Sequence, residues 1–167
     1  MSQRVLIVGV SESGKTTLAN SLIKDSPIPV YIRDPIGAEW SKCTARFETS
    51  DELRILTAKR EPCVVVIDEA ANFFAVSMLQ NHWVFTQGRH SAILPIAIGQ
   101  RIKMMAPNVR EQASDLYVFE SSIEASKILA EAYNVADLEC APELRQGEYF
   151  HVRREDGERV CTSHALW

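Results

Sequence analysis

Near the start of the chain, Gly9-Val10-Ser11-Glu12-Ser13-Gly14-Lys15-Thr16 satisfies the pattern GxxxxGK[ST] at every fixed position, with Thr17 directly behind it. The chemistry this spacing serves is the binding of a polyphosphate. Glycine lets the backbone turn its N–H groups inward around a β-phosphate. A helix starting near Lys15 adds the positive end of its dipole. The Lys15 ammonium then bridges β- and γ-phosphates, and the Thr16 hydroxyl becomes a ligand for Mg²⁺. The reading is therefore an ATP and Mg²⁺ site built from Gly9, Ser11, Glu12, Ser13, Gly14, Lys15, Thr16 and Thr17. A glycine turn can match such a pattern by chance. Here an apolar run leads straight in and an amphipathic run straight out, the context the chemistry requires.

A second element, Val64-Val65-Val66-Ile67-Asp68-Glu69, is an apolar strand ending in two carboxylates. Such a strand delivers Asp68 beside the phosphates, where it holds Mg²⁺ through water. Glu69 can then polarise the water that attacks the γ-phosphate. Both carboxylates would also suit the first turn of a following helix, but a phosphate loop with Lys15 upstream favours the chemical reading. Gln100, in Gly99-Gln100-Arg101, follows the apolar run Ile93 to Ile98. In a parallel sheet the strand C-termini line the ligand crevice, so its amide can bond the γ-phosphate or the attacking water. Cations come from Arg89 in Gly88-Arg89-His90, then Arg101, Lys103 and Arg110. A guanidinium against the γ-phosphate neutralises charge in the transition state. Arg89 falls between a helix and a strand start, at the strand edge away from its own phosphate loop, so it reaches phosphate most easily in a neighbouring copy. Arg110 is the second choice. The catalytic set is then Lys15, Glu69, Gln100 and Arg89, with Thr16 and Asp68 on the metal.

Alternating strands and helices must position these groups. Arg4 to Val10 reads as a buried strand and Thr16 to Lys24 as a helix, with Leu18/Leu22 and Ala19/Ile23 paired at i, i+4. Val30 to Arg33 is a second strand, ended by Asp34-Pro35. Thr49 and Glu52 form a capping box ahead of a helix to about Lys59. Cys63 to Ile67, Ile93 to Ile98 and Leu116 to Phe119 read as further strands, with a helix from about Glu69 into Met78. Ser121 and Glu124 repeat the capping box before a helix whose Ala125, Ile128, Leu129 and Ala132 share one face. Glu148 to Arg153 and Arg159 to Ser163 flank Glu155-Asp156-Gly157, a hairpin signal. The fold class is α/β: a doubly wound, mostly parallel sheet of the P-loop NTPase type, RecA/ASCE-like, with a C-terminal β-hairpin extending one edge antiparallel. No linker interrupts it, so residues 1–167 read as a single domain.

Composition narrows the field. With 167 residues, 46% hydrophobic and 24% charged, the chain has the makings of one ordinary core. Its net charge of −4 argues against a broadly basic nucleic-acid surface, though not against a local basic loop. No apolar run approaches a membrane span. Cys43, Cys63, Cys140 and Cys161 lie far apart, which suits reduced cytosolic thiols. A zinc site from Cys140, His151, Cys161 and His164 would match no familiar spacing.

Taken in order, GVSESGKTT, IRDPIGAEW, VVVIDEA, QGRH, LPIAIGQR and PNVREQASDLYVF resemble the FtsK–HerA superfamily of ring-forming DNA-pumping ATPases. Within it, the likeness is to the compact genome-packaging ATPases of membrane-containing phages and large DNA viruses. It runs from about residue 4 to 153. Asp34-Pro35 is similar to the Asp-Pro ending their second strand, Gly88-Arg89-His90 to their Gly-Arg-His/Lys segment, and Gly99-Gln100-Arg101 to their Thr-Gln-Arg sensor. The resemblance implies a homo-oligomeric ring, a hexamer or pentamer, that hydrolyses ATP to move double-stranded DNA into a capsid. It also implies a capsid vertex or membrane protein as partner, and the host cytoplasm or the virion as location.

Other readings share the phosphate loop. A small-molecule or nucleotide kinase has similar size, and Arg101 to Arg110 could serve as its lid, but the Asp68-Glu69 pair suits water activation. A switch GTPase would need an Asn/Thr-Lys-x-Asp segment and a glycine three residues after Asp68, and the sequence has neither. An ATP-driven assembly module, as in filamentous-phage or conjugation machinery, is the reading from a different class. Hydrolysis stimulated by duplex DNA separates it from a motor.

Overall fold

The apolar runs become strands β1 (Val5–Val8), β2 (Val30–Arg33), β3 (Ala45–Arg46), β4 (Cys63–Ile67), β5 (Ile93–Gly99), β6 (Asp115–Phe119), β7 (Glu148–Glu155) and β8 (Glu158–Ala165). They form one sheet in the order β3-β2-β4-β5-β1-β6-β7-β8. The first six are parallel, and the hairpin β7–β8 continues the β6 edge antiparallel, as its alternation predicts. The computed structural model describes residues 3–87, 92–155 and 158–167.

Both faces of the central strands are covered, which is why they read as unbroken apolar runs. Val5 and Ile7 of β1 pack on one face under α1 (Lys15–Ile23), with Leu18, Ala19 and Ile23. Leu6 and Val8 point to the other face. That second face lies beneath α2 (Ser50–Leu56), α3 (Ala70–Phe73), α4 (Trp83–Thr86), α5 (Pro107–Arg110) and α6 (Ile123–Tyr133). No helix among the described residues is long and apolar enough to cross a membrane.

Helix ends depart from the sequence reading where tertiary contacts intervene. The Thr49 box forms: Thr49 Oγ1 accepts from Glu52 N at 3.2 Å, and the Glu52 carboxylate returns to Thr49 N. At α6 the cap is Ser122, which accepts from Ala125 N at 3.2 Å, and not Ser121. Ser121 is buried, and its hydroxyl pairs with that of Ser126 at 2.8 Å. The helix expected from Glu69 into Met78 stops at Phe73. The carbonyls that would carry it on are taken elsewhere: Phe73 O by Asn81 Nδ2, Phe74 O by Ala106 N and Ala75 O by the His82 ring. Phe73 and Phe74 are buried in an edge-to-face aromatic cluster with Phe47 and Phe85.

Asp34 closes β2 with a fully buried side chain. Its carboxylate accepts from the N–H groups of Ile36 (2.9 Å), Gly37 (3.0 Å) and Ala38 (2.6 Å) and from the Trp40 indole (3.0 Å). Arg46 stands 3.6 Å away. Burial pushes this carboxyl up, but the indole and backbone donors outweigh it and hold it below its ordinary range. A carboxylate depressed in this way stabilises the fold above its unfolded value, and the contribution is lost as pH falls through the folded value. Asp34→Ala leaves four N–H donors without their acceptor. The expected loss is about 2 kcal/mol, or roughly 4–8 °C in Tm for a chain of this size. The difference should shrink in acid below the carboxylate range. Equal melting of variant and wild type at pH 7 would contradict this.

Candidate nucleotide site at the strand ends

The loop leaving β1 is clamped on both sides at its root. Gly9 N donates to Gly99 O of β5 at 3.3 Å, and Val10 N to Glu120 O beyond β6 at 2.8 Å. Both glycines of the pattern are required by packing. A Cβ on Gly9 would sit 2.7 Å from the Cβ of Phe119 and 2.7 Å from Ser13 Oγ. Gly14 adopts φ 113°, and a Cβ there would meet Leu166 at 2.8 Å. Such a left-handed turn with no room for a side chain is glycine territory. Ser13 is buried and donates to Val10 O at 2.9 Å. Ser11 and Glu12 lie exposed on the rim, Thr16 is half-buried and Thr17 exposed on the first turn of α1.

Lys15 is buried, and its Nζ donates to the Val10 carbonyl. Burial pulls this ammonium below its ordinary value, against the opposing pull of Asp68 and Glu69. Asp68 ends β4, with one strand, β5, between it and the strand of the phosphate loop. Its carboxyl is pushed up by burial, with the charges of Asp34 and Glu69 adding and the Glu69 N–H and Lys15 opposing. Glu69 has left-handed backbone (φ 51°), costly for a residue with a side chain. Its carboxylate accepts from Gln100 Nε2 at 3.2 Å. The fold thus gathers Lys15, Asp68, Glu69 and Gln100 at the C-terminal ends of β1, β4 and β5, where a doubly wound sheet presents its crevice.

The basic residues divide. Arg89, with residues 88–91, lies outside the described residues. Arg101 is exposed beside the site. Lys103 pairs with Glu124 at 2.7 Å. Arg110 is turned inward, donating to Met105 O at 3.3 Å, and its own carbonyl accepts from the Tyr133 hydroxyl. The sequence reading missed the hairpin's part in this site. Gly147 N donates to Ser13 O at 3.0 Å and Gln146 Nε2 to Glu12 O at 3.0 Å, so the turn before β7 braces the phosphate loop. The glycine at 147, which adopts φ 86°, is the local mark of that turn. Among the described residues no three His, Cys, Asp or Glu side chains form a metal cluster; His151 and His164 stack on Tyr117 and Tyr149.

A braced phosphate loop, a strand inserted between it and two consecutive carboxylates, and a polar residue directly after that inserted strand define a P-loop ATPase. This chain belongs to the ATPase family associated with various cellular activities (AAA), whose profile matches residues 5–121. No curated protein sequence matches significantly. Among solved structures, B204, the DNA-packaging ATPase of Sulfolobus turreted icosahedral virus, aligns at TM-score 0.78 and 19% identity, covering 98% of each chain. The N-terminal domain of zonular occludens toxin from Neisseria meningitidis aligns at TM-score 0.60 and 14% identity, over 100% of this chain and 95% of that one. EccC of Thermomonospora curvata, in complex with a signal sequence peptide, aligns at 0.64 and 16%, over 99% of this chain and 37% of that one. At these identities the likeness is one of fold.

Proposed function

We propose that this ATPase is the motor subunit of a homo-oligomeric ring, a pentamer or hexamer of the FtsK–HerA kind. It hydrolyses Mg-ATP to move double-stranded DNA, in packaging of a viral genome. Residues 1–167 act as one ATPase domain, in the host cytoplasm or on the virion, docked on a capsid vertex or membrane protein. The observation that carries the reading is Glu69, held in left-handed backbone beside Asp68 with its carboxylate on Gln100. That arrangement suits activation of water better than an acceptor pocket. The full-length likeness in fold to a DNA-packaging ATPase supports the choice of motor.

The donor set fits a divalent cation. Asp68 is pushed up first by burial and then by the charges of Asp34 and Glu69, which the Glu69 N–H and the single ammonium of Lys15 do not offset. The Thr16 hydroxyl is a second oxygen donor on the first turn of α1. Thr16 and Asp68 would hold Mg²⁺, which when bound neutralises phosphate charge. Lys15 exchanges the Val10 carbonyl for β- and γ-phosphate oxygens. Glu69 orients the attacking water and takes its proton, and Gln100 holds Glu69 in position. Arg89 of a neighbouring copy faces the γ-phosphate. Most of the catalysis is positioning and charge neutralisation. Exposed Arg101, repeated around a ring, gives an acidic chain a basic lining for DNA phosphates.

ATP turnover with and without linear duplex DNA tests the reading, with Glu69→Gln as the paired variant. Wild-type turnover should rise with DNA. Glu69→Gln should still bind Mg-ATP and turn over at least ~100-fold more slowly, whereas Asp68→Asn should weaken the metal. Turnover indifferent to DNA favours the assembly module, and phosphate passed to a small acceptor favours the kinase. Near-normal turnover by Glu69→Gln would leave Glu69 as the start of a helix and nothing more.

A further inference from the structure

A nucleotide lying across this loop has two ends, and the side chains around Lys15 separate them. Asp68, Glu69 and Gln100 stand on the β4–β5 side of β1, with two of those charges acting on the Lys15 ammonium. The γ-phosphate belongs on that side. The loop's backbone holds the α- and β-phosphates, so the nucleoside must leave toward the opposite side of β1, over β6 and the hairpin.

One large ring waits there. The indole of Trp167 lies against Gly147, where an added Cβ would come within 2.6 Å of the six-membered ring. Yet the residue is 72% exposed. The neighbouring Leu166 donates its N–H to Gly147 O at 3.0 Å and reaches Gly14. Gly147 in turn is bonded to Ser13, and Gln146 to Glu12. The indole is therefore tied by one edge to the turn that braces the phosphate loop, with most of its surface open to solvent.

We infer that Trp167 is the stacking platform for the base of the bound nucleoside triphosphate, with Gln146 and Gly147 setting its distance from the phosphate loop. The inference rests on the reading of that loop as a nucleotide site. An aromatic face recognises the area of a π-system and not its hydrogen-bonding edge, so the subsite takes purines ahead of pyrimidines and does not read adenine against guanine.

Calorimetric titration of the full chain with Mg-ATP and with Mg-tripolyphosphate, which has no base, tests this. Trp167→Ala should lose about tenfold in ATP affinity, within the range of one base–aromatic stack, and nothing for tripolyphosphate. Trp167→Phe should recover most of the loss. Of the three tryptophans, Trp167 should account for the emission change on ATP binding, which Trp167→Phe should abolish. Equal losses for both ligands would make Trp167 a prop for the loop and overturn the inference, as would unchanged ATP affinity in Trp167→Ala. Wild-type protein that binds neither ligand would overturn the nucleotide reading itself, and this inference with it. Wild type that binds tripolyphosphate as tightly as ATP would overturn the base platform alone.

Discussion

Lys15→Ala should bind ATP at least about 100-fold more weakly than wild type, a loss of about 2.7 kcal/mol, and melt within about 2 °C of it. The affinity figure follows from charge-assisted hydrogen bonds to phosphate, worth roughly 1.5–3 kcal/mol each, of which the side chain makes more than one when it bridges two phosphates. The stability figure follows from the ammonium's surroundings. Lys15 is buried, and burial outweighs the carboxylates in setting its proton affinity, so the folded chain gains little from keeping that charge. Among the described residues its one hydrogen bond is to the Val10 carbonyl, which keeps the Ser13 hydroxyl as a donor. Isothermal titration and a melting curve on the same preparation check both halves. Wild-type affinity would refute the site, and an unfolded variant would refute the claim that Lys15 is spent on ligand and not on the fold.

Much of this was legible in the sequence for definite reasons. Strands β1, β4 and β5 are buried on both faces, so their residues had to be apolar without a break. The phosphate loop announced itself because Gly9 and Gly14 each sit where no side chain fits. What stayed hidden was settled by contacts distant in sequence. Nothing near Phe73 says that Asn81, Ala106 and His82 will claim the carbonyls that α3 needed. Two adjacent serines compete for the start of α6, and burial of Ser121 against Ser126 decides for Ser122. The two-residue strand β3 is too short for any periodicity to show. The brace from Gln146 and Gly147 joins groups 134 residues apart, beyond the reach of any spacing rule.

The central claim is that each catalytic site is completed by a neighbouring copy in a ring, and one mixing experiment tests it most directly. Arg89→Ala keeps an intact phosphate loop, and Lys15→Ala keeps an intact Arg89. A guanidinium supplied in trans is worth roughly 10³ or more in rate, about 4 kcal/mol of transition-state stabilisation, so each variant alone should be nearly inactive. Arg110, the other candidate, is turned inward onto Met105 O, which places Arg89 first. Turnover is measured on each variant alone and on an equimolar mixture, in the presence of duplex DNA. The account predicts that the mixture recovers hydrolysis, because Arg89 of a Lys15→Ala subunit serves the intact loop of an Arg89→Ala neighbour. A mixture that stays inactive although both variants assemble, or an Arg89→Ala protein that retains full DNA-stimulated turnover alone, would contradict it.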